Sequence, residues 1–343
     1  RKQYSRRKRR RRKLPKKAAM KPEICLGLDT SAYTTSVAAA GTDGALLADE
    51  RIVLSVPRGG RGLRQSEAVY QHMKNMPVLF RRIEPLLSKY TVSGIGVSVR
   101  PENTEESFMP VFNAGISFSE TASALTGAQL FRTSHQENHL EAAAVSSGCV
   151  LPDDFIGVHF SGGTSEILDV HRTDNGYECG RLAGSLDLKA GQLVDRTGVL
   201  LGLDFPAGRA LEGLALEAQA VNSERVIVPA AMSGADFHFS GQENRIVRLL
   251  EEGADPGQTA LGLFRMIAKT LERSLRILAD QTGLETVLFS GGVMANGIIR
   301  EQLERRLAPS GIRLCFSDPK YSSDNAVGNA YLALRRLKGV TEV

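Results

Sequence analysis

Two histidines, His135 and His139 in the run SHQENHLEAAA, stand four positions apart in a stretch that reads helical. At 3.6 residues per turn both imidazoles fall on one helix face, within reach of one divalent ion. The bland alternative is a pair of structural, hydrogen-bonded histidines. Gln136 follows His135, so the glutamate of an HExxH protease is missing and peptide hydrolysis has no evident general base. A distant carboxylate would complete a two-histidine, one-carboxylate facial site with open positions. Asp324, in SSDNA, is the candidate, and its competing role is to cap the helix that follows.

Three glycine- or hydroxyl-rich turns could cradle phosphate or ribose oxygens. Asp29-Thr30-Ser31 lies between two strand-like runs, and Ser161-Gly162-Gly163-Thr164-Ser165 takes the corresponding place further on. Backbone without a Cβ allows close approach, although such turns are also ordinary hairpin connections. Ser290-Gly291-Gly292 precedes a helix containing Asn296, which suits an adenine or ribose contact at a helix N-terminus. None of the three is a P-loop or a complete GxGxxG. Asp195, in GQLVDRTG, is placed to bind ribose hydroxyls or to pair with its neighbour Arg196. Gly208, in FPAGR, allows a helix to start against a ligand or simply makes a turn.

The elements that must hold these residues come in two matching sets. ICLGLDTS, TTSVAAA and LLADERIVL read as a strand meander broken by polar turns, and FIGVHFSGGTSEILDVHRTDNGYECGRLAG repeats that pattern about 130 positions later. One α/β unit used twice, with its turns facing a shared cleft, is the expected architecture. Between the meanders SEAVYQHMKNMPVLFRRIEPLL reads as a helix, GIGVSV as a buried strand, and a helix from about Ser117 runs to a glycine stop. Further helices are expected in LVDRTGVLLGL, RALEGLALEAQAV and QTALGLFRMIAKTLERSLRILAD. A strand, glycine turn and helix follow in TVLFSGGVMANGIIREQLERRL, then strand IRLCFS, a loop through Ser323, and a helix from about Asn325 to Leu337 that packs back on the first half. The expected boundaries are 20–132 with 323–343 for one domain and 133–322 for the other.

Length and composition agree with two soluble cores: 343 residues, 42% hydrophobic and 24% charged, with no apolar run long enough for a membrane helix. Four scattered cysteines without CxxC spacing suggest neither a zinc cluster nor a disulfide framework, and reduced thiols in a cytoplasmic protein are expected. The net charge of +5 is unevenly distributed. Residues 1–17 carry 12 of the 43 Lys and Arg and no acid, so the rest of the chain has a net of −7. Residues 1–19 read as a disordered basic arm, either a phosphate-binding tether or an upstream remnant preceding Met20.

From Ile24 to Leu337 the order and spacing of these pieces resemble the TsaD/Kae/Gcp family, the tRNA N6-adenosine threonylcarbamoyltransferases once called O-sialoglycoprotein endopeptidases. The resemblance is carried by His135 and His139, Ser161 to Gly163, Asp195 to Gly208 with its LLGLDFPAG, Phe239 to Gly241, Gly291 to Asn296, and Ser323 to Ala326. It implies a duplicated actin-like ATPase fold of the sugar kinase/Hsp70/actin type, and one iron or zinc ion on His135, His139 and Asp324. It implies threonylcarbamoyl-AMP or an adenine nucleotide in the cleft, contacted by His159, Phe160, Ser161, Gly162, Gly163, Asp195, Gly208 and Asn296. It also implies tRNA as substrate and TsaB-like and TsaE-like protein partners, while the lack of a long apolar run leads to the expectation of no membrane association.

The chain departs from the family pattern on the phosphate side. DTSAYTT replaces the usual ETSCDDT, with Tyr33 and Thr34 where two acids stand. Arg100-Pro101-Glu102-Asn103 replaces a glycine-proline-glycine turn, Thr164 replaces the histidine of SGGHT, and Gln192 the glutamate of GEAFDK. The alternative expectation is therefore a non-catalytic or altered-substrate paralogue that acts as a binding or dimerisation partner of the genuine transferase. A small-molecule kinase of the same fold would need the acids and phosphate turns that are replaced.

Overall fold

A computed structural model describes residues 21–341 except 32, 57–62, 105 and 222–224, so the basic arm lies outside the described residues. The first half begins with strands β1 (Glu23–Thr30), β2 (Thr34–Gly41) and β3 (Leu46–Val53), then helix α1 (Gln65–Leu87), β4 (Thr91–Arg100), α2 (Phe112–Thr126), β5 (Gln129–Ser134) and α3 (His135–Ser146). The second half repeats the meander as β6 (Asp154–Phe160), β7 (Ser165–Thr173) and β8 (Gly176–Gly184). Helices α4 (Ala190–Leu200) and α5 (Gly208–Ala220), a short hairpin β9 (Ala231–Ser233) and β10 (Asp236–His238), and helices α6 (Ser240–Glu251) and α7 (Pro256–Thr282) follow. The chain continues through β11 (Thr286–Ser290), α8 (Gly297–Leu307), β12 (Arg313–Phe316), α9 (Pro319–Ser322) and α10 (Val327–Thr341).

The duplication expected from the repeated meander is explicit in the sheets. The first runs β3-β2-β1-β4-β5 and the second β8-β7-β6-β11-β12, each an antiparallel meander followed by two parallel strands. β1 and β6 are buried almost throughout, as strands covered on both faces must be. On α1 the buried positions Ala68, His72, Met76, Leu79 and Ile83 recur every three or four residues, the stripe a helix lays on a sheet. Local signals set the helix ends. Asp255 caps α7 by accepting from Gln258 N, Pro256 opens it, and Gly283 in the left-handed region ends it. β5, the β9–β10 hairpin, α6 and the single turn α9 are additions to the sequence reading.

α3 and α10 pack against each other between the two sheets, and α10 lies on β1, β4 and β2 of the first. The close approach requires glycine at Gly328, where a Cβ would run into the Asn138 carbonyl of α3. Asn138 Oδ1 accepts from Asn329 N at 2.8 Å, and Asn138 Nδ2 donates to Asn325 O at 2.5 Å. Further along α10, Arg335 forms an ion pair with buried Glu141 at 3.2 Å, donates to Gly176 O, and lies 5.0 Å from the Tyr177 ring centre. Tyr177 Oη donates to the same Glu141. Removing one member of a buried pair leaves the other charge uncompensated, at about 3–5 kcal/mol. Arg335→Met is thus expected to lower the unfolding midpoint by roughly 6 °C or more. Urea titration checks this, and a loss below about 1 kcal/mol would show that the latch contributes little.

Among the described residues the cysteines depart from expectation. Cys149, after α3, and Cys315, on β12, are joined as a disulfide, whereas Cys25 and Cys179 are free. The partners are 166 positions apart, so their adjacency is a product of the second sheet and invisible to local spacing. No helix among the described residues is long and apolar enough to cross a membrane.

Candidate functional site

The start of α3 is fixed by a reciprocal cap. Ser134 Oγ accepts from Glu137 N at 3.1 Å, and Glu137 Oε2 accepts from Ser134 N at 2.8 Å. His135 is therefore the first helical residue and His139 sits one turn on, their Nε2 atoms 3.0 Å apart. Asp324 arrives from the other half of the chain, with Oδ1 3.6 Å from His135 Nε2 and 3.4 Å from His139 Nε2. Its competing role falls to Asn325, whose Oδ1 accepts from Val327 N at 2.9 Å and so caps α10. The Asp324 carboxylate is left to the histidines.

These separations suit a shared ion. Two ligand atoms each about 2.1 Å from one metal lie about 3.0–3.4 Å apart at octahedral to tetrahedral angles. The three ligand atoms lie within 4.8 Å of one another, and no other such His, Cys, Asp or Glu group occurs among the described residues. The donor set of two imidazoles and a carboxylate leaves coordination positions open toward a substrate.

Asp29, read from the sequence as part of a phosphate-cradling turn, stands instead behind His135. Fully buried at the end of β1, it approaches His135 Nδ1 at 3.0 Å with Oδ1, while Oδ2 accepts from Ser31 N. It thus orients an imidazole from behind, as carboxylates behind metal-bound histidines do. Burial disfavours charge on His135, but the Asp29 carboxylate and then Asp324 outweigh it and lift the histidine to about 10. Burial and the positive charge of His135 lower His139, which stays neutral. For Asp324 burial opposes ionisation, and the hydrogen bonds from the two histidines outweigh it, holding the carboxyl well below its usual range.

His159, at the end of β6, extends the row, its ring centre 4.5 Å from that of His139. Ser290 Oγ donates to Val158 O, so it accepts from His159 Nδ1–H at 3.0 Å and leaves the lone pair on His159 Nε2. Burial and then the neighbouring histidines push His159 well below the usual value, in keeping with a neutral ring. In the next turn Ser161 Oγ accepts from Gly163 N and Thr164 N, and both glycines are exposed with open space beside them. Phe160 corrects the sequence reading. Its side chain is fully buried beside Phe237 and Phe239, so that ring belongs to the core rather than to a ligand surface.

Asp195 has no bond to Arg196, which pairs instead with Glu243. Its Oδ1 accepts from Ala207 N at 2.9 Å, immediately before Gly208 opens α5, and burial raises its pKa. Asn296 caps α8 by accepting from Ile299 N, and Glu212 on α5 accepts from Gly297 N at 2.6 Å. Asp195, Gly208 and Asn296 are thereby linked through the starts of two helices. Between this group and the histidines stands Tyr33. Its ring meets Phe205 edge-on at 5.7 Å, and after burial the charges of Asp195 and Asp324 raise its hydroxyl's pKa. The residue in the family's acidic position is therefore an aromatic one, which from the first half of the chain meets Phe205 of the second.

Comparison with known proteins agrees with this geometry. Residues 109–331 match the family described as TsaD, tRNA N6-adenosine threonylcarbamoyltransferase. A protein of that description from Neorickettsia sennetsu is 27% identical over 334 residues, covering 94% of this chain and 97% of its own length. Full-length HypF, in its phosphate- and nucleotide-bound form, superposes with a TM-score of 0.60 at 12% identity over 94% of this chain and 47% of its own. A ROK family glucokinase from Streptomyces griseus, in complex with glucose and AMPPNP, gives 0.51 at 12% identity over 90% and 99%. These likenesses establish the two-lobed actin-like, sugar-kinase fold.

Proposed function

Since this chain belongs to the tRNA N6-adenosine threonylcarbamoyltransferase (TsaD) family, we propose that it moves the threonylcarbamoyl group of threonylcarbamoyl-AMP to N6 of the tRNA adenosine beside the anticodon. Homology supports the broader statement, an acyltransferase of tRNA modification. In the finer reading, the adenosine amine forms a bond to the carbamoyl carbon, the bond from that carbon to the phosphate oxygen breaks, AMP leaves, and the amine gives up a proton. The observation that carries this reading is the convergence of His135, His139 and Asp324, with Tyr33 feeling the charges of both Asp324 and Asp195.

His135, His139 and Asp324 would hold an iron or zinc ion, which when bound supplies a Lewis acid for the acyl carbonyl. Asp29 fixes the His135 ring, and His159 presents a neutral nitrogen beside it. The exposed Gly162–Gly163 turn offers backbone approach to the phosphate, and Asp195 with the start of α5 suits the ribose. Holding the acyl group and amine together is itself worth a large part of the barrier.

Tyr33 supports a second reading, an altered-substrate or non-catalytic paralogue, because its contact with Phe205 narrows the side of the cleft where the family's acids stand. One assay separates the two. Unmodified tRNA, threonine, bicarbonate, ATP and a threonylcarbamoyl-adenylate synthase are incubated with the chain, with and without TsaB-like and TsaE-like partners, and the nucleosides are read by mass spectrometry. Threonylcarbamoyladenosine is expected. Tight binding of the adenylate without product under every condition would overturn catalysis in favour of the paralogue.

A further inference from the structure

Away from the cleft, α7, α8 and the segment 225–228 line an open cavity of about 430 Å³ whose lining includes Arg225, Arg265, Lys269, Arg305 and Arg306, with Glu301 the one acid. The neighbouring Glu272 serves three cations, Lys269 at 2.8 Å, Arg276 at 3.3 Å and Arg306 at 3.3 Å. Arg225, Arg265 and Arg305 have no carboxylate within ion-pair distance among the described residues, and Arg306 Nε is buried without an acceptor. The guanidiniums crowd one another: after partial burial, Arg225 and Arg305 are the main influences lowering Arg265. Such a concentration of positive charge is repulsive unless an anion enters it. It is also opposite in sign to the chain beyond the basic arm, which carries a net of −7.

The cavity has a defined position relative to the cleft. α5 starts at Gly208 and α8 just after Asn296, the two starts being joined by Glu212, and both helices run from there to the basic lining at Gln219 and Arg305. At about 1.5 Å per residue the cavity lies about 14–16 Å from the Asp195–Asn296 group. A stacked strand advances about 3.4 Å per phosphate, so this is a span of four or five phosphates.

We propose that this cavity is a docking site for the sugar–phosphate backbone of RNA, gripping phosphates of the substrate strand several nucleotides from the one that reaches the cleft. The inference rests on the reading of this chain as a tRNA-modifying enzyme. Small-molecule pockets carry only a few polar groups, usually of mixed sign, whereas here four guanidiniums and an ammonium face a single acid, their stems lying on Val226, Ile227, Val228 and Met266. Arginine in this number suits phosphodiester recognition without sequence selection.

The test uses the full chain and unmodified tRNA, with affinity measured by fluorescence anisotropy between 50 and 300 mM salt and adenylate affinity and product formation measured in parallel. The double variant Arg265→Gln, Arg305→Gln is expected to bind tRNA at least tenfold more weakly and to flatten the plot of log affinity against log salt by about 1.4–1.8, at about 0.7–0.9 for each phosphate no longer neutralised. Arg225→Gln, on an exposed residue, should flatten it by about 0.8, which keeps the test decisive should the double variant not fold. Affinity for threonylcarbamoyl-AMP should stay within twofold. Wild-type slopes in both variants, or no measurable binding of tRNA by the wild type, would overturn the proposal. Titration with pyrophosphate provides the contrasting arm: tight binding lost in the variants, with RNA slopes unchanged, would assign the cavity to a small anion instead. Modified tRNA made by the wild type alongside unaltered variant slopes would sink this inference alone. Flattened slopes without any product would sink the proposed reaction alone.

Discussion

The double variant His135→Ala, His139→Ala should retain less than a tenth of the bound metal and lose threonylcarbamoyl transfer by a thousandfold or more. The two side chains provide two of three protein ligands, and Asp324 alone offers no chelate. A factor of a thousand corresponds to about 4 kcal/mol of transition-state stabilisation, within what a carbonyl-polarising ion contributes. The adenylate contacts proposed for Asp195 and the glycine turn are on other elements, so affinity for threonylcarbamoyl-AMP should fall by less than tenfold. Elemental analysis and single-turnover rates check the two halves separately. A variant that keeps its metal would refute the ligand assignment, and one that loses the metal but not the rate would refute the role given to it.

Asp29→Asn should change how metal uptake depends on pH. Without an ion, His135 keeps its proton up to about 10 because the Asp29 carboxylate and then Asp324 outweigh burial. Metal binding must displace that proton, so apparent affinity should rise about tenfold per pH unit below 10, or about a hundredfold from pH 6.5 to 8.5. The sign for folding is the reverse. A histidine raised from 6.5 stabilises the ion-free chain fully below 6.5, and that contribution fades as pH climbs toward 10. Asparagine removes the larger of the two carboxylate influences while keeping the shape, and Asp324 remains, so His135 should fall part of the way from about 10 toward its ordinary value. The variant's zinc affinity should then level off at a lower pH than the wild type's, with fewer protons released per ion near pH 8. Competition with a chelator across pH, with calorimetry in two buffers, reads both quantities. An unchanged slope would mean that Asp29 does not govern His135.

The sequence made some of this plain and concealed the rest for identifiable reasons. His135 and His139 were legible because helical spacing by itself places two side chains on one face. Asp324 was legible as a candidate only, since its rival capping role depended on which of Asp324 and Asn325 turned toward the helix, and Asn325 did. Asp29 was visible as a turn residue, yet its distance of 106 positions from His135 gave no hint that β1 would deliver it behind that ring. Phe160 went the other way: within a binding-type turn sequence, strand alternation sends its ring inward to the phenylalanine cluster and His159 toward the cleft. The paired cysteines and the basic cavity likewise join segments that no local pattern links.

The candidate ion site draws on distant parts of the chain: Asp29 stands behind one histidine from the first strand, the histidines open the helix that leaves the first sheet, and Asp324 enters after the last strand of the second. A polypeptide that ends before position 324 is expected to be unable to acquire a metal at this site however well the remaining piece folds, which makes ion occupancy a readout of a finished chain. Fragments of this enzyme would be inert rather than unregulated.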